Sequence, residues 1–269
     1  MIFPHAIPAF SDNYIWLIAA SSPELRAQTS PQHTPSAVII VDPGIAGPVI
    51  DYLEHNKLQP CAILITHHHY DHIDGIEALC EHYPLPVYGP ANSNIPGLSH
   101  PLHDQDEITL DNGLTFRVIA SPGHTLDHLS YYHPGMLFCG DTLFAAGCGR
   151  LFEGSPLQMF NSLNRLASLP DDTRIFCTHE YTLANLEFAH VVEPENSDIS
   201  TRLAKVRQQR AEGRITLPST LAEERLSNPF LRCAKPSVMA AASHFAHRPI
   251  TDAADTFKVI RFWKDGWSL

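Results

Sequence analysis

Residues 65–75 read ITHHHYDHIDG, and four of the seventeen histidines fall at 67–69 and 72, beside Asp71 and Asp74. The apolar run Ala62–Ile65 leads into them and reads as a buried strand continuing through Thr66. If that strand extends into the triplet, side chains alternate, so His67 and His69 share a face and His68 points away. Two imidazoles so placed chelate one metal ion. After Tyr70 the chain brings Asp71 and His72 to the same cavity from another angle, ahead of a helix expected from about Ile73. His68 is left as a supporting residue, and Asp74 as a turn or helix-cap residue.

One loop cannot close such a site, and three more apolar runs end in a single potential ligand: His124 in SPGHT, Asp141 in FCGDT and His179 in CTHE. Functional groups collect at strand ends in open α/β sheets. The set is then His67, His69, Asp71, His72, His124, Asp141 and His179. Imidazoles and carboxylates without thiolates suit zinc, iron or manganese. Seven ligands exceed one tetrahedral ion and fit two ions about 3.5–4 Å apart that share a carboxylate and a water. His33, His55, His82 and His244 lack such spacing and read as surface residues.

The elements that would position these groups are short. Residues 14–20 and 37–42 read as strands, with the Ser/Pro-rich 21–36 a loop between them and Asp42-Pro43-Gly44 a turn. A helix is expected over 47–57, a strand over 61–66, a helix over 73–83 and a short strand at 87–88. Asn112-Gly113 centres a hairpin of 108–110 with 114–119. Strands 128–133 and 136–140, a helix at 157–167 and a strand at 174–178 follow. Beyond about 180 the texture is helical, at 182–192, 198–212, 218–224 with Ser219 or Thr220 as cap, and 252–264. This predicts an α/β domain over 1–179 and a helical domain over 180–269.

The 269-residue chain is 44% apolar, enough for a sizeable core, and carries a net charge of −11. That acidity argues against a broad nucleic-acid surface. Six cysteines without CxxC spacing point to reduced thiols, Cys139 and Cys177 among them as small core residues, and to the cytoplasm. The apolar opening lacks a basic start and is cut by Ser11-Asp12-Asn13, so it does not read as a signal peptide, and no run reaches the ~20 residues of a membrane helix.

THHHYDH (66–72), GHT (123–125), GDTLF (140–144) and THEYT (178–182) resemble the metallo-β-lactamase superfamily. PAFSDNYIWLI near the start, AGCGRLFEG at 146–154 and NPFLR at 228–232 are similar to its glyoxalase II, or hydroxyacylglutathione hydrolase, family. The resemblance implies a four-layer αββα sandwich with a small helical C-terminal domain. It implies that His67, His69 and His124 hold one divalent ion, that Asp71, His72 and His179 hold a second, and that Asp141 bridges them, with zinc expected and iron or manganese possible. It further implies a glutathione-binding group of Arg150, Phe152, Tyr181, Arg261 and Lys264, Phe152 standing where the family usually has tyrosine. Arg232 and Lys235 share the spacing of Arg261 and Lys264 and are a decoy. The implied reaction is hydrolysis of S-D-lactoylglutathione and related 2-hydroxyacyl thioesters by a metal-bridging hydroxide, the second step of methylglyoxal detoxification. In that reaction Asp71 is expected to bind metal and also to orient the hydroxide. The expected partner is this small molecule alone, acting on a monomer, with no nucleic acid or membrane.

Three other readings compete. Another hydrolase of the superfamily would act on different esters or thioesters. A redox di-iron relative would carry glutamate at the position of His69. A degenerate metal-binding module would lack part of the ligand set, which is complete here.

Overall fold

The computed structural model describes residues 3–19 and 37–267. The loop expected at 21–36, with His33, lies outside them. Two compact units emerge: Met1–Ala120 with Asp127–His133, and Ser121–Leu126 with Pro134–Leu269. The change of texture expected at 179/180 falls inside the second unit.

The first unit contains a six-stranded sheet in the order β1 (Phe3–Ala9), β2 (Asn13–Ala19), β3 (Ala37–Val41), β4 (Gln59–Leu64), β5 (Val87–Pro90), β6 (His100–Leu102). The first two pairings are antiparallel, and β3 to β6 run parallel. Strands buried on both faces explain the near-continuous aliphatic runs AVIIV and CAIL. β1 went unrecognised because Pro4 and Pro8 interrupt it; at the sheet edge, missing N–H groups cost little. Helices α1 (Gly47–His55), α2 (Tyr70–Ile73) and α3 (Ile76–His82) belong to this unit, with Val49, Leu53, Ile76 and Leu79 in its core. The antiparallel strands β7 (Glu107–Thr109), β8 (Thr115–Ala120) and β9 (Leu129–His133) include the expected hairpin.

Two details correct the reading around the histidines. β4 ends at Leu64, so His67–His69 are extended loop rather than strand. The helix begins at Tyr70, so Asp71 and His72 lie on its single turn instead of before it. The helix expected over 73–83 is broken at Asp74-Gly75. A methyl group at Gly75 would lie 2.5 Å from the Pro43 carbonyl oxygen, so this approach requires glycine.

In the second unit β10 (Met136–Gly140) runs parallel to β13 (Arg174–Cys177), β11 (Leu143–Phe144) pairs with β12 (Gly147–Cys148), and β14 (Ser219–Thr220) pairs with β13. Its helices are α4 (Pro156–Ala167), α5 (Thr182–Val192), α6 (Ser197–Ala211), α7 (Leu221–Ser227), α8 (Pro236–Ala246) and α9 (Ala253–Gly266). Ser155 and Gln158 form a capping box on α4, and Thr220 caps α7. Leu186 and Ala189 of α5 meet Ile199, Leu203 and Val206 of α6 in a local core. α8 was not predicted: its PSVMAAASHFA sequence buries only Val238 and Ala242, leaving no clear periodicity. Among the described residues, no helix is long and apolar enough to cross a membrane.

Candidate metal centre

In the first unit, register builds the ligand row. Val41 pairs with Leu64, so the parallel β3 and β4 end side by side. Asp42 follows in a left-handed conformation, φ 51°, and its carboxylate takes the Thr66 N–H at 2.7 Å on Oδ1 and the Thr66 hydroxyl at 2.8 Å on Oδ2. His72 Nδ1 lies 3.1 Å from the same Oδ2. At that distance the carboxylate favours a proton on His72 Nδ1, which leaves Nε2 available for metal. The Thr66 hydroxyl hydrogen is committed to Asp42, so its lone pair faces His67 Nδ1, 3.1 Å away. That sets His67 to carry its proton on Nδ1 and to offer Nε2. One buried carboxylate thus fixes two histidines.

Around them, the His67 ring lies 4.6 Å from that of His69 and 4.1 Å from that of His72, centroid to centroid. Asp71 Oδ2 accepts from Asn13 Nδ2 at 2.9 Å and lies 3.7 Å from His72 Nε2. A methyl group at Gly44 would fall 1.9 Å from the Asp71 carbonyl oxygen, so the 42–46 loop presses its backbone on the ligand-bearing helix. His68 turns aside to Asp127, Nδ1 to Oδ2 3.0 Å, as expected of a supporting residue. Asp74 caps α2 and is exposed, as are His55, His82 and His244.

In the second unit, β10 and β13 bring Gly140 beside Cys177; Asp141 follows the first directly, and His179 lies two residues beyond the second. Asp141 Oδ2 lies 3.4 Å from His124 Nε2 and 3.3 Å from His179 Nε2, and all three residues are buried. A carboxylate oxygen between two imidazole nitrogens is the arrangement a bridging ligand needs. His124 Nδ1 meets the Arg150 carbonyl oxygen at 2.8 Å, which places the proton there and leaves Nε2 for metal. Gly149 permits this packing, since a methyl group there would fall 2.0 Å from the Asp141 carbonyl oxygen. Each of the seven expected ligands belongs to a His/Asp cluster able to hold a metal ion.

The residues expected to bind substrate also lie in the second unit. Phe152 is exposed, its ring centre 5.2 Å from that of His124 and nearly perpendicular to it, and Tyr181 stacks on His179 at 4.7 Å. Arg150 is exposed, with Nε 3.4 Å from Asp265 Oδ1. Arg261 is buried; it donates to the same Asp265 oxygen at 3.0 Å and to the Cys148 carbonyl at 3.0 Å. Lys264 donates to the Ala184 carbonyl at 3.2 Å and lies over the Phe188 and Trp267 rings. Burial, with Arg261 adding to it, pushes the Lys264 ammonium down to about 8. The decoy is engaged elsewhere: Arg232 forms a two-pronged pair with Glu193.

Sequence reasoning missed Asp42, Thr66 and Asn13. It also missed a network centred on fully buried Glu224. This carboxylate accepts from Arg202 at 2.7 Å, the Ala146 N–H at 2.7 Å and Asn228 Nδ2 at 3.0 Å. Asn228 also donates to the Phe144 and Gly147 carbonyls. The β11–β12 hairpin, between Asp141 and Arg150, is thereby anchored by α7 and the residue after it.

A strand-end row of histidines and aspartates in an α/β fold defines the class first. Residues 32–179 match the metallo-β-lactamase superfamily, and 180–267 match the hydroxyacylglutathione hydrolase C-terminus. The fold is the αββα sandwich of that superfamily with a helical C-terminal region. Its likeness extends to ETHE1 from Myxococcus xanthus (TM-score 0.64, 23% identity, 97% of this chain and 89% of that one). The BLEG-1 B3 metallo-β-lactamase is also similar (TM-score 0.61, 23% identity, 85% and 99%). Hydroxyacylglutathione hydrolases from Pseudomonas fluorescens and Nitrosomonas eutropha are 52% and 46% identical, covering 98% and 99% of this chain and 99% and 98% of those proteins. The chain belongs to the hydroxyacylglutathione hydrolase family of the metallo-β-lactamase superfamily.

Proposed function

We propose that the protein is a metal-dependent hydrolase of S-(2-hydroxyacyl)glutathione thioesters, S-D-lactoylglutathione above all, releasing glutathione and a 2-hydroxy acid. The observation that carries the reading is Asp141 Oδ2 standing between His124 and His179. His67, His69 and His124 would hold one ion, Asp71, His72 and His179 a second, and Asp141 would bridge them. The donor chemistry fits: imidazoles and carboxylates, with Nδ1 of His67, His72 and His124 each facing an oxygen. Two divalent ions, zinc foremost and iron or manganese on the same donors, would lower the pKa of a bound water to about 7 and polarise the thioester carbonyl.

The chain's own residues divide the remaining work. Asp71, steadied by Asn13, orients the attacking oxygen. The leaving thiolate has a pKa of about 8.5, so no side chain need protonate it. Arg150, Arg261 and Lys264 carry positive charge for the glutathione carboxylates, far from the reacting bond, and act by positioning. Phe152 and Tyr181 offer rings to the tripeptide. A monomer in the cytoplasm remains the reading taken from the sequence, and cysteines outside any disulfide suit that compartment.

Purified protein assayed side by side with S-D-lactoylglutathione, a β-lactam and a phosphodiester tests this. Turnover of the thioester above the other two is expected. Preference for either of the others would overturn the reading.

A further inference from the structure

The rim of the first unit's ligand row is apolar in an unusual way. Phe10 and Tyr70 are 54% and 68% exposed, and Ile45 is 38% exposed. Scattered exposed apolar residues are ordinary, but these three are tied to one ligand. Tyr70 adjoins Asp71 on α2. Phe10 sits in the β1–β2 turn, three residues before Asn13, whose amide holds Asp71 Oδ2. Gly44, next to Ile45, presses on both: a methyl group there would fall 1.9 Å from the Asp71 carbonyl oxygen and 2.8 Å from the Phe10 ring. The Phe10 and Tyr70 rings meet edge to face at 6.5 Å.

Phe10 also has φ 51°. This left-handed conformation is disfavoured for a bulky side chain and readily adopted by glycine or asparagine. The chain keeps an aromatic ring, in water, at a turn position that smaller residues fill more easily. The charges are equally one-sided. Segments 10–13, 42–46 and 69–75 contain Asp12, Asp42, Asp71 and Asp74 but no lysine or arginine. No lysine or arginine in these segments can pair with the carboxylates of glutathione, whereas an uncharged acyl substituent needs no such partner.

We infer that Phe10, Ile45 and Tyr70 form an apolar lip that receives the acyl side of the thioester and sets the enzyme's preference among acyl groups. The inference rests on the thioesterase reading and adds its acyl specificity. The lip favours 2-hydroxyacyl groups with a bulky apolar substituent on C2 over those with hydrogen there, as apolar complementarity at a binding site changes kcat/KM by about tenfold or more.

The test compares S-mandeloylglutathione, with a phenyl substituent, against S-glycoloylglutathione, with hydrogen, on metal-loaded wild type, Phe10→Ala, Tyr70→Ala and Phe10→Leu. The mandeloyl-to-glycoloyl ratio of kcat/KM should fall about tenfold in each alanine variant and recover most of the way in Phe10→Leu. An unchanged ratio in both alanine variants, with wild type active on both thioesters, would overturn the lip. Wild type inactive on both would instead overturn the thioesterase reading beneath it.

Discussion

Removing the Asp42 carboxylate should weaken both ions at once, although Asp42 is not itself among the expected ligands. Its Oδ2 faces His72 Nδ1 directly and reaches His67 Nδ1 through the Thr66 hydroxyl, and these two histidines are expected to serve different ions. Losing a partner that orients a ligating histidine typically costs 10–100-fold in metal affinity, about 1.4–2.7 kcal/mol. In Asp42→Asn the amide must either turn its NH2 toward His72 Nδ1, favouring the tautomer with hydrogen on Nε2, or set that NH2 against the Thr66 N–H. Asp42→Ala leaves the buried Thr66 N–H without its acceptor, an added stability cost of about 1–3 kcal/mol. Thr66→Val keeps the N–H to Asp42 and breaks only the relay to His67, so it should weaken one ion and spare the other. Chelator-competition titration with elemental analysis resolves these cases: two weakened ions for the Asp42 variants, one for Thr66→Val. Two wild-type-affinity ions in Asp42→Asn, or equal weakening of both ions in Thr66→Val, would rule out Asp42 as the shared anchor of the two histidines.

Lys264 gives a pH dependence. Its depressed pKa, about 8, means that the unfolded chain binds more protons from about pH 8 to 10.5, so this group's contribution to stability rises with pH across that window. Substrate binding goes the other way: KM for a glutathione thioester should be flat below about pH 8 and rise by up to about tenfold above it as the charge is lost, with Lys264→Arg flattening the profile. Measured KM against pH for both proteins checks this. Glu224→Ala leaves Arg202 buried without its main partner. Loss of one member of such a pair costs about 3–5 kcal/mol, which lowers the melting temperature by roughly 6–20 °C for a chain of this size. Thermal denaturation of the variant reads that shift.

The sequence made the ligands legible because each follows an apolar strand end, and parallel pairing of β3 with β4 and of β10 with β13 turns that spacing into proximity. Their local geometry was less legible. α2 is a single turn, too short for a 3.6-residue period to show, so in sequence Asp71 and His72 read as the approach to a helix and not as part of one. Asp42 reads as a turn residue before Pro43-Gly44; its role depends on Thr66, twenty-four positions on, and no local pattern encodes that partner. Arg202 lies in a charged amphipathic helix and reads as a solvated face, yet it is buried against Glu224. β1 was hidden by two prolines that only an edge position tolerates.

As proposed, Asp141 would serve both ions, which together would activate the attacking oxygen. The direct measurement is metal content per chain with turnover of S-D-lactoylglutathione, for wild type and Asp141→Ala. Two ions and turnover are expected in the wild type, with loss of tight binding of at least one ion and of most turnover in the variant. An Asp141→Ala protein with near-normal metal content and near-normal turnover would contradict it.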